Sequence, residues 1–181
     1  MNLSQEQKEL LQSYRDRAYI SAILCEEEVG LNTFYRHLFN LPLILISSIM
    51  SILNSSDFNP TDMKLPNICL NISTSLILSL SGSFKFNDKI TNFQNVGRKF
   101  TKLTHNIEDS LINNINDINI DNIRNFINEY DSLYEQIDYP FNKNIKDNIT
   151  KKFKGKKTLP QILNCVEVIV LPISNNENVN V

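Results

Sequence analysis

Two uncharged apolar stretches, residues 38–56 (LFNLPLILISSIMSILNSS) and 65–84 (LPNICLNISTSLILSLSGSF), stand on either side of a short loop carrying Asp57, Pro60, Asp62 and Lys64. Each has about the 17–25 residues that a helix needs to cross the hydrocarbon core of a bilayer. In lipid the backbone must satisfy its own polar groups, so two such stretches joined by a polar loop read as a transmembrane helical hairpin. The competing reading is a soluble bundle with two unusually apolar core helices. Charge closes the ends of both stretches, and the pattern occurs twice, which favours the membrane.

The first stretch contains about ten Leu, Ile and Phe residues, worth on the order of −4 kcal/mol of insertion energy before Asn40, Pro42, Asn54 and the serines are counted. The second has slightly fewer and includes Asn67 and Asn71, so it is expected to insert as a partner of the first. Arg15, Arg17 and Arg36 precede the first span, and Lys85, Lys89, Arg98 and Lys99 follow the second, while the loop holds Lys64 alone. By the positive-inside tendency both termini face the cytoplasm. The start of the chain, MNLSQEQKELLQSYRDR, is polar and charged, unlike a secretory signal, so the first span is expected to act as an internal signal-anchor.

Composition narrows the partners. In 181 residues a hydrophobic content of 41% and a mean hydropathy of −0.23 average an apolar hairpin with a very polar remainder. A net charge of −2 gives no basic field to capture phosphates, so nucleic acid is not an expected partner. Cys25, Cys69 and Cys165 are odd in number and show no C-x-x-C spacing, which fits a reducing compartment. The Asn- and Ile-rich run LINNINDINIDNIRNFINEY reads as the product of AT-rich codons rather than as an aggregation module.

Outside the hairpin the pattern is helical. Ser4 and Gln7 form a capping-box pattern, and Leu11, Tyr14, Ala18, Ala22, Cys25 and Val29 repeat at three- and four-residue intervals toward the first span. Phe34, Tyr35, Arg36, His37 and Lys85 sit where interfacial anchors belong. Pro42 predicts a kink between the cytoplasmic helix and the span. Phe86, Ile90, Phe93, Val96, Phe100, Leu103, Ile107 and Leu111 form the cleanest stripe, a helix expected to continue out of the second span and pack on the N-terminal one. A further helix is expected at 120–137 through Ile123, Ile127, Tyr130, Tyr134 and Ile137, and a short basic one at 143–154 between Pro140 and Gly155. The tail predicts one strand at 166–171 and then a disordered end.

Catalytic constellations are not found: no G-x-S-x-G, H-E-x-x-H, Walker or Rossmann fingerprint occurs, and His37 and His105 belong to no ligand pattern. The expectation is a protein that is not an enzyme and carries no cofactor or metal. Glu26, Glu27 and Glu28 read as a solvated helix face. Lys151, Lys152, Lys154, Lys156 and Lys157 are candidates for lipid-headgroup contact at roughly 1 kcal/mol each, or else a solvated basic terminus. Inside the membrane, Asn71, Ser75, Ser79 and Gly82 make one polar, small-residue stripe, and Ser47, Ser51 and Asn54 make another. The preferred reading packs the two stripes against each other within one hairpin; the sharper one lets them line a polar path in an oligomer.

The helix carrying Tyr14 to Arg17, the Pro42-to-Ser48 first span, the Ser-rich second span and the helix from Phe86 to Leu111 resemble the SLATT-type two-transmembrane domain family, in particular relatives encoded by giant DNA viruses. Phe126, Tyr130, Leu133 and Glu135, then Pro140 and Ile145, then Phe153-Lys154-Gly155 and Leu159-Pro160 extend the resemblance over about residues 14–164. It differs at Ile49-Met50-Ser51, where a glycine-containing exit is expected, and it lacks a His in the N-terminal helix. The resemblance implies an all-α fold in a host or virion membrane. Bacterial members are thought to perforate membranes, and the sensor domains that accompany them have no counterpart here.

The expected architecture is therefore all-α: an amphipathic helix at 4–37, spans at 38–56 and 65–84 around a loop at 57–64, a cytoplasmic helical domain at 85–157 and a tail at 158–181. The expected function is that of a non-catalytic, homo-oligomeric scaffold of a membrane, with lipid as one partner and a protein docked on the cytoplasmic helices as another. The alternatives are an oligomeric pore and a soluble helical-bundle interaction protein.

Overall fold

The computed structural model describes residues 5–55, 63–113 and 120–163. They fold into helices α1 (Gln5–Ser55), α2 (Lys64–Phe84), α3 (Phe86–Asn113), α4 (Ile120–Glu135) and α5 (Lys143–Phe153), with no strand among the described residues. The all-α expectation holds. Ser4, most of the 57–64 loop, Cys165 and the expected strand at 166–171 lie outside the described residues.

Helix α1 is 51 residues long, about 77 Å at the standard rise. It passes through Pro42 without ending. Helix α2 follows antiparallel to its second half, and α3 returns along its first half. The helix expected to continue smoothly from the second span is broken at a single residue. Lys85 adopts φ 49° and ψ 41°, a left-handed cap whose N–H donates to the Gly82 carbonyl at 3.3 Å. Left-handed backbone disfavours residues with a Cβ, yet here it redirects the chain between two helices and satisfies an orphan carbonyl.

The core lies entirely outside the two apolar stretches. Leu11, Ala18, Ile20, Leu24 and Cys25 of α1 meet Phe93, Val96, Phe100, Leu103 and Ile107 of α3, all buried. The α3 stripe read from the sequence is thus its core face. Gly97 lets the two helices close up: a Cβ placed there would stand 2.9 Å from the Cys25 Cβ. Helix α4 adds Ile123, Tyr130 and Leu133, and α5 adds Ile149 and Phe153. Asn142 caps α5 by accepting the Asn144 N–H at 2.9 Å.

The second half of α1 and all of α2 contribute nothing to that core. Two helices, Gln5–Ser55 and the run Lys64–Ile112, are long and apolar enough to span a membrane, and none of their apolar windows is buried. Leu38, Leu41, Ile44, Leu45, Ile49 and Ile52 stay about half or more exposed, as do Leu65, Ile68, Ile72, Leu76, Leu78 and Leu80.

Candidate functional site

Two regions carry polar chemistry in unusual surroundings: the base of the bundle around Glu28, and the face of the hairpin. Glu28 corrects the expectation of a uniformly solvated acidic run. Glu26 and Glu27 are exposed, but Glu28 is buried. Its Oε1 accepts the backbone N–H of Asn142, and its Oε2 receives Asn32 Nδ2 at 3.4 Å. Asn32, also buried, donates to the Glu28 carbonyl at 2.8 Å. Burial raises the carboxyl above its ordinary range, and the Asn142 hydrogen bond, the nearby Lys89 charge and Asn32 oppose that rise. Chemically the group is a clamp: it ties α1 to the start of α5 across 114 residues of sequence.

Higher in the bundle, Ser21 Oγ donates to the Arg17 carbonyl at 2.8 Å, so Tyr134 Oη, also at 2.8 Å, is its donor. Tyr14, Phe100, Tyr130 and Tyr134 stack around that bond with ring centroids 5.0–5.7 Å apart. Burial pushes both Tyr130 and Tyr134 hydroxyls up, and the Cys25 thiol to about 12, so all three stay neutral at physiological pH. A cleft of about 650 Å³ runs between α1 and α3 past Tyr19, Ala22, Glu26, Gly97, Arg98 and His105. His105 lies exposed beside Glu108 at 3.8 Å. No group of three or more His, Cys, Asp or Glu gathers among the described residues.

The five-lysine cluster is where geometry departs most from expectation. Helix α5 starts beside Glu28 and ends with Phe153 edge-on to Tyr19, at 6.3 Å between centroids. It therefore runs away from the hairpin. Lys157 pairs with Asp16 at 3.5 Å and lies 4.1 Å over the Tyr19 ring. Tyr19 precedes Leu38 by a helix length of about 28 Å, farther than a lysine side chain reaches. Lys151, Lys152, Lys154, Lys156 and Lys157 thus sit at the end of the bundle remote from the apolar stretches.

The anchors come together instead at the other end. Tyr35 stacks on Phe86 at 6.1 Å, Phe39 approaches Phe84 at 5.8 Å and Phe86 at 5.5 Å, and Phe84 stacks on Phe86 at 5.4 Å. Arg36 Nη1 donates to Asn87 Oδ1 at 3.4 Å. Phe34, His37 and Lys85 are exposed beside them, with Phe34 edge-on to Tyr35 at 5.9 Å.

The polar stripes of the two apolar helices are also placed differently from the preferred reading. In the hairpin the half-buried positions of α1 are Phe39, Pro42, Leu43, Ile46, Met50 and Leu53, and those of α2 are Asn67, Leu70, Thr74, Ile77 and Ser81. Both sets recur at three- and four-residue intervals, the 3.5-residue repeat of a helix-pair seam. Ser47, Ser51 and Asn54 on one helix, and Asn71, Ser75, Ser79 and Gly82 on the other, are exposed. They do not glue the hairpin together. At about 100° per residue each stripe lies roughly a quarter-turn from its seam, and because the helices are antiparallel both turn to the same side. The hairpin so has one polar, small-residue flank built from both helices, facing outward. Within it Ser75 Oγ donates to the Asn71 carbonyl at 2.9 Å.

Comparison with protein-family models, with curated proteins and with solved structures finds no match to this chain.

Proposed function

We propose that the chain is a two-span membrane protein that works as a homo-oligomeric, non-catalytic scaffold of a membrane. The observation that carries this reading is the division of the molecule into a bundle with its own buried core and a hairpin whose apolar windows are wholly unburied. A monomeric soluble protein rarely leaves more than a few hundred Å² of contiguous apolar surface in water. Lipid removes that surface from water along the full length of α2, whose 21 residues give about 32 Å of helix against a core of about 30 Å. Arg36, Lys85 and Lys89, flanking the two spans, support a cytoplasmic side for both termini. The outward polar flank supports the oligomer, since small and hydroxyl-bearing residues at a helix surface favour close approach of a second hairpin. A protein partner is assigned to the bundle, whose α1–α3 cleft is an open groove of about 650 Å³.

The second reading, an oligomeric pore, rests on the same flank and on the resemblance to SLATT-type domains; a virion membrane as the site of action rests on that resemblance alone. Two experiments separate the readings. Alkaline carbonate should leave the protein in the membrane pellet, and Leu45→Arg with Ile77→Arg should release it, since each arginine near a helix centre costs about 2.5–3.5 kcal/mol. Recovery of the wild-type chain in the supernatant would overturn the membrane assignment. Purified protein assembled in liposomes should pass no ions; a steady conductance would replace scaffold by pore.

A further inference from the structure

Resting on the membrane reading, we propose that the cleft between the bundle and the hairpin holds one phospholipid, with Lys89 as the partner of its phosphate. The cleft has a volume of about 410 Å³, within the roughly 300–1,000 Å³ of small-molecule sites. Its walls are the rings of Tyr35, Phe39, Phe84 and Phe86. Along α1 it extends from Glu28 to Phe39, eleven residues or about 16 Å, from a buried polar base to the first residues of the uncharged stretches. That polarity, ionic at one end and aromatic toward the apolar helices, is the polarity of an amphiphile.

The polar atoms at the base divide into engaged and available. The Glu28 carboxylate is held by the Asn142 N–H and the Asn32 amide, and the Asn142 side chain by the Asn144 N–H. The Lys89 ammonium has no ion pair within 4 Å among the described residues; it stands 6.0 Å from the Tyr139 ring centroid. Lys89 is half-buried on the first turns of α3, level with the Arg36–Asn87 contact, and lines the cleft. A cation in a cleft walled by aromatic rings is matched by a phosphodiester whose glycerol and acyl part continue down the rings. Glu28 nearby offsets part of its charge, and the aromatic walls are what favour a phosphate carrying an apolar chain over a free anion. The Lys151–Lys157 cluster takes no part.

The test uses the full-length protein, reconstituted in vesicles of mixed phosphatidylglycerol, phosphatidylethanolamine and phosphatidylcholine, then extracted in mild detergent for native mass spectrometry. A single retained phospholipid per chain is expected. Lys89→Gln should lower retention about tenfold, as expected for losing a charge-assisted hydrogen bond, Lys89→Arg should restore it, and Lys151→Gln with Lys152→Gln should leave it unchanged. Equal retention in Lys89→Gln would overturn the proposal, as would displacement of the lipid by millimolar inorganic phosphate, which would mark a plain anion site. Carbonate extraction of the same preparations keeps the two readings apart. Protein that stays in the pellet yet retains no lipid defeats this proposal alone, and protein found in the supernatant defeats the membrane reading beneath it.

Discussion

A carboxylate buried against a backbone N–H has two opposing effects, and Glu28 shows both. Its hydrogen bond to Asn142 holds the start of α5, while desolvation raises its pKa. Because the folded state binds this proton more tightly than the unfolded chain does, the term is most favourable below the ordinary glutamate range and is lost as pH rises through the raised value. Urea unfolding of wild type against Glu28→Gln, measured across pH, should show the wild type losing stability relative to the variant over that window. The glutamine oxygen can still accept the Asn142 N–H. Glu28→Ala cannot, and leaving that N–H buried without a partner should cost about 1–3 kcal/mol at every pH. A pH profile shared by wild type and the Gln variant would mean that the carboxyl is solvated. Nothing local in Glu26-Glu27-Glu28 singles out the third residue. Its partner is 114 positions away, so the distinction exists only once α5 has docked.

Whole helices were easier to read than the faces they share. The α3 stripe was legible because that helix has one apolar side, and Phe93, Phe100 and Leu103 sit on it without competition from polar groups. On α1 the expected stripe through Leu11, Ala18 and Cys25 was correct but half of the truth. Ile20, Leu24 and Glu28 are buried as well, since α3 and α5 grip two sides, and a single-face pattern cannot reveal a second neighbour. In the hairpin, polar residues drew the expectation to the wrong side, because the seam mixes Asn67, Thr74 and Ser81 with leucine and isoleucine and does not stand out by composition. Gly97 gives an element-scale test of the α1–α3 approach. Gly97→Ala should destabilise the bundle by about 1–3 kcal/mol, read by thermal unfolding in detergent. Cys25→Ala should not relieve the loss, because the atom at 2.9 Å is the Cβ that alanine keeps. An unchanged melting temperature in Gly97→Ala would show that the helices are farther apart.

At the scale of the molecule, the outward polar flank decides whether hairpins meet through it. Changing Asn71, Ser75 and Ser79 together to Leu should leave the hairpin's own seam intact, since none of the three is in it, and should weaken association between copies. Cross-linking in membranes would read the second effect and carbonate extraction the first. If association persists unchanged, the oligomer uses another face. One feature ties all of this together mechanically. Helix α1 runs unbroken from the bundle into the hairpin, whereas the other leg is jointed at Lys85. The direction in which the first span presents its side chains is therefore not chosen in the bilayer at all. It is set by the azimuth at which Leu11, Leu24 and Cys25 seat in the bundle core, and carried along a shaft that cannot slip. A single residue inserted near position 34 would leave both halves chemically whole, yet turn the span by about 100° against the bundle. The chain can tolerate many changes of residue along α1, but very few changes of length.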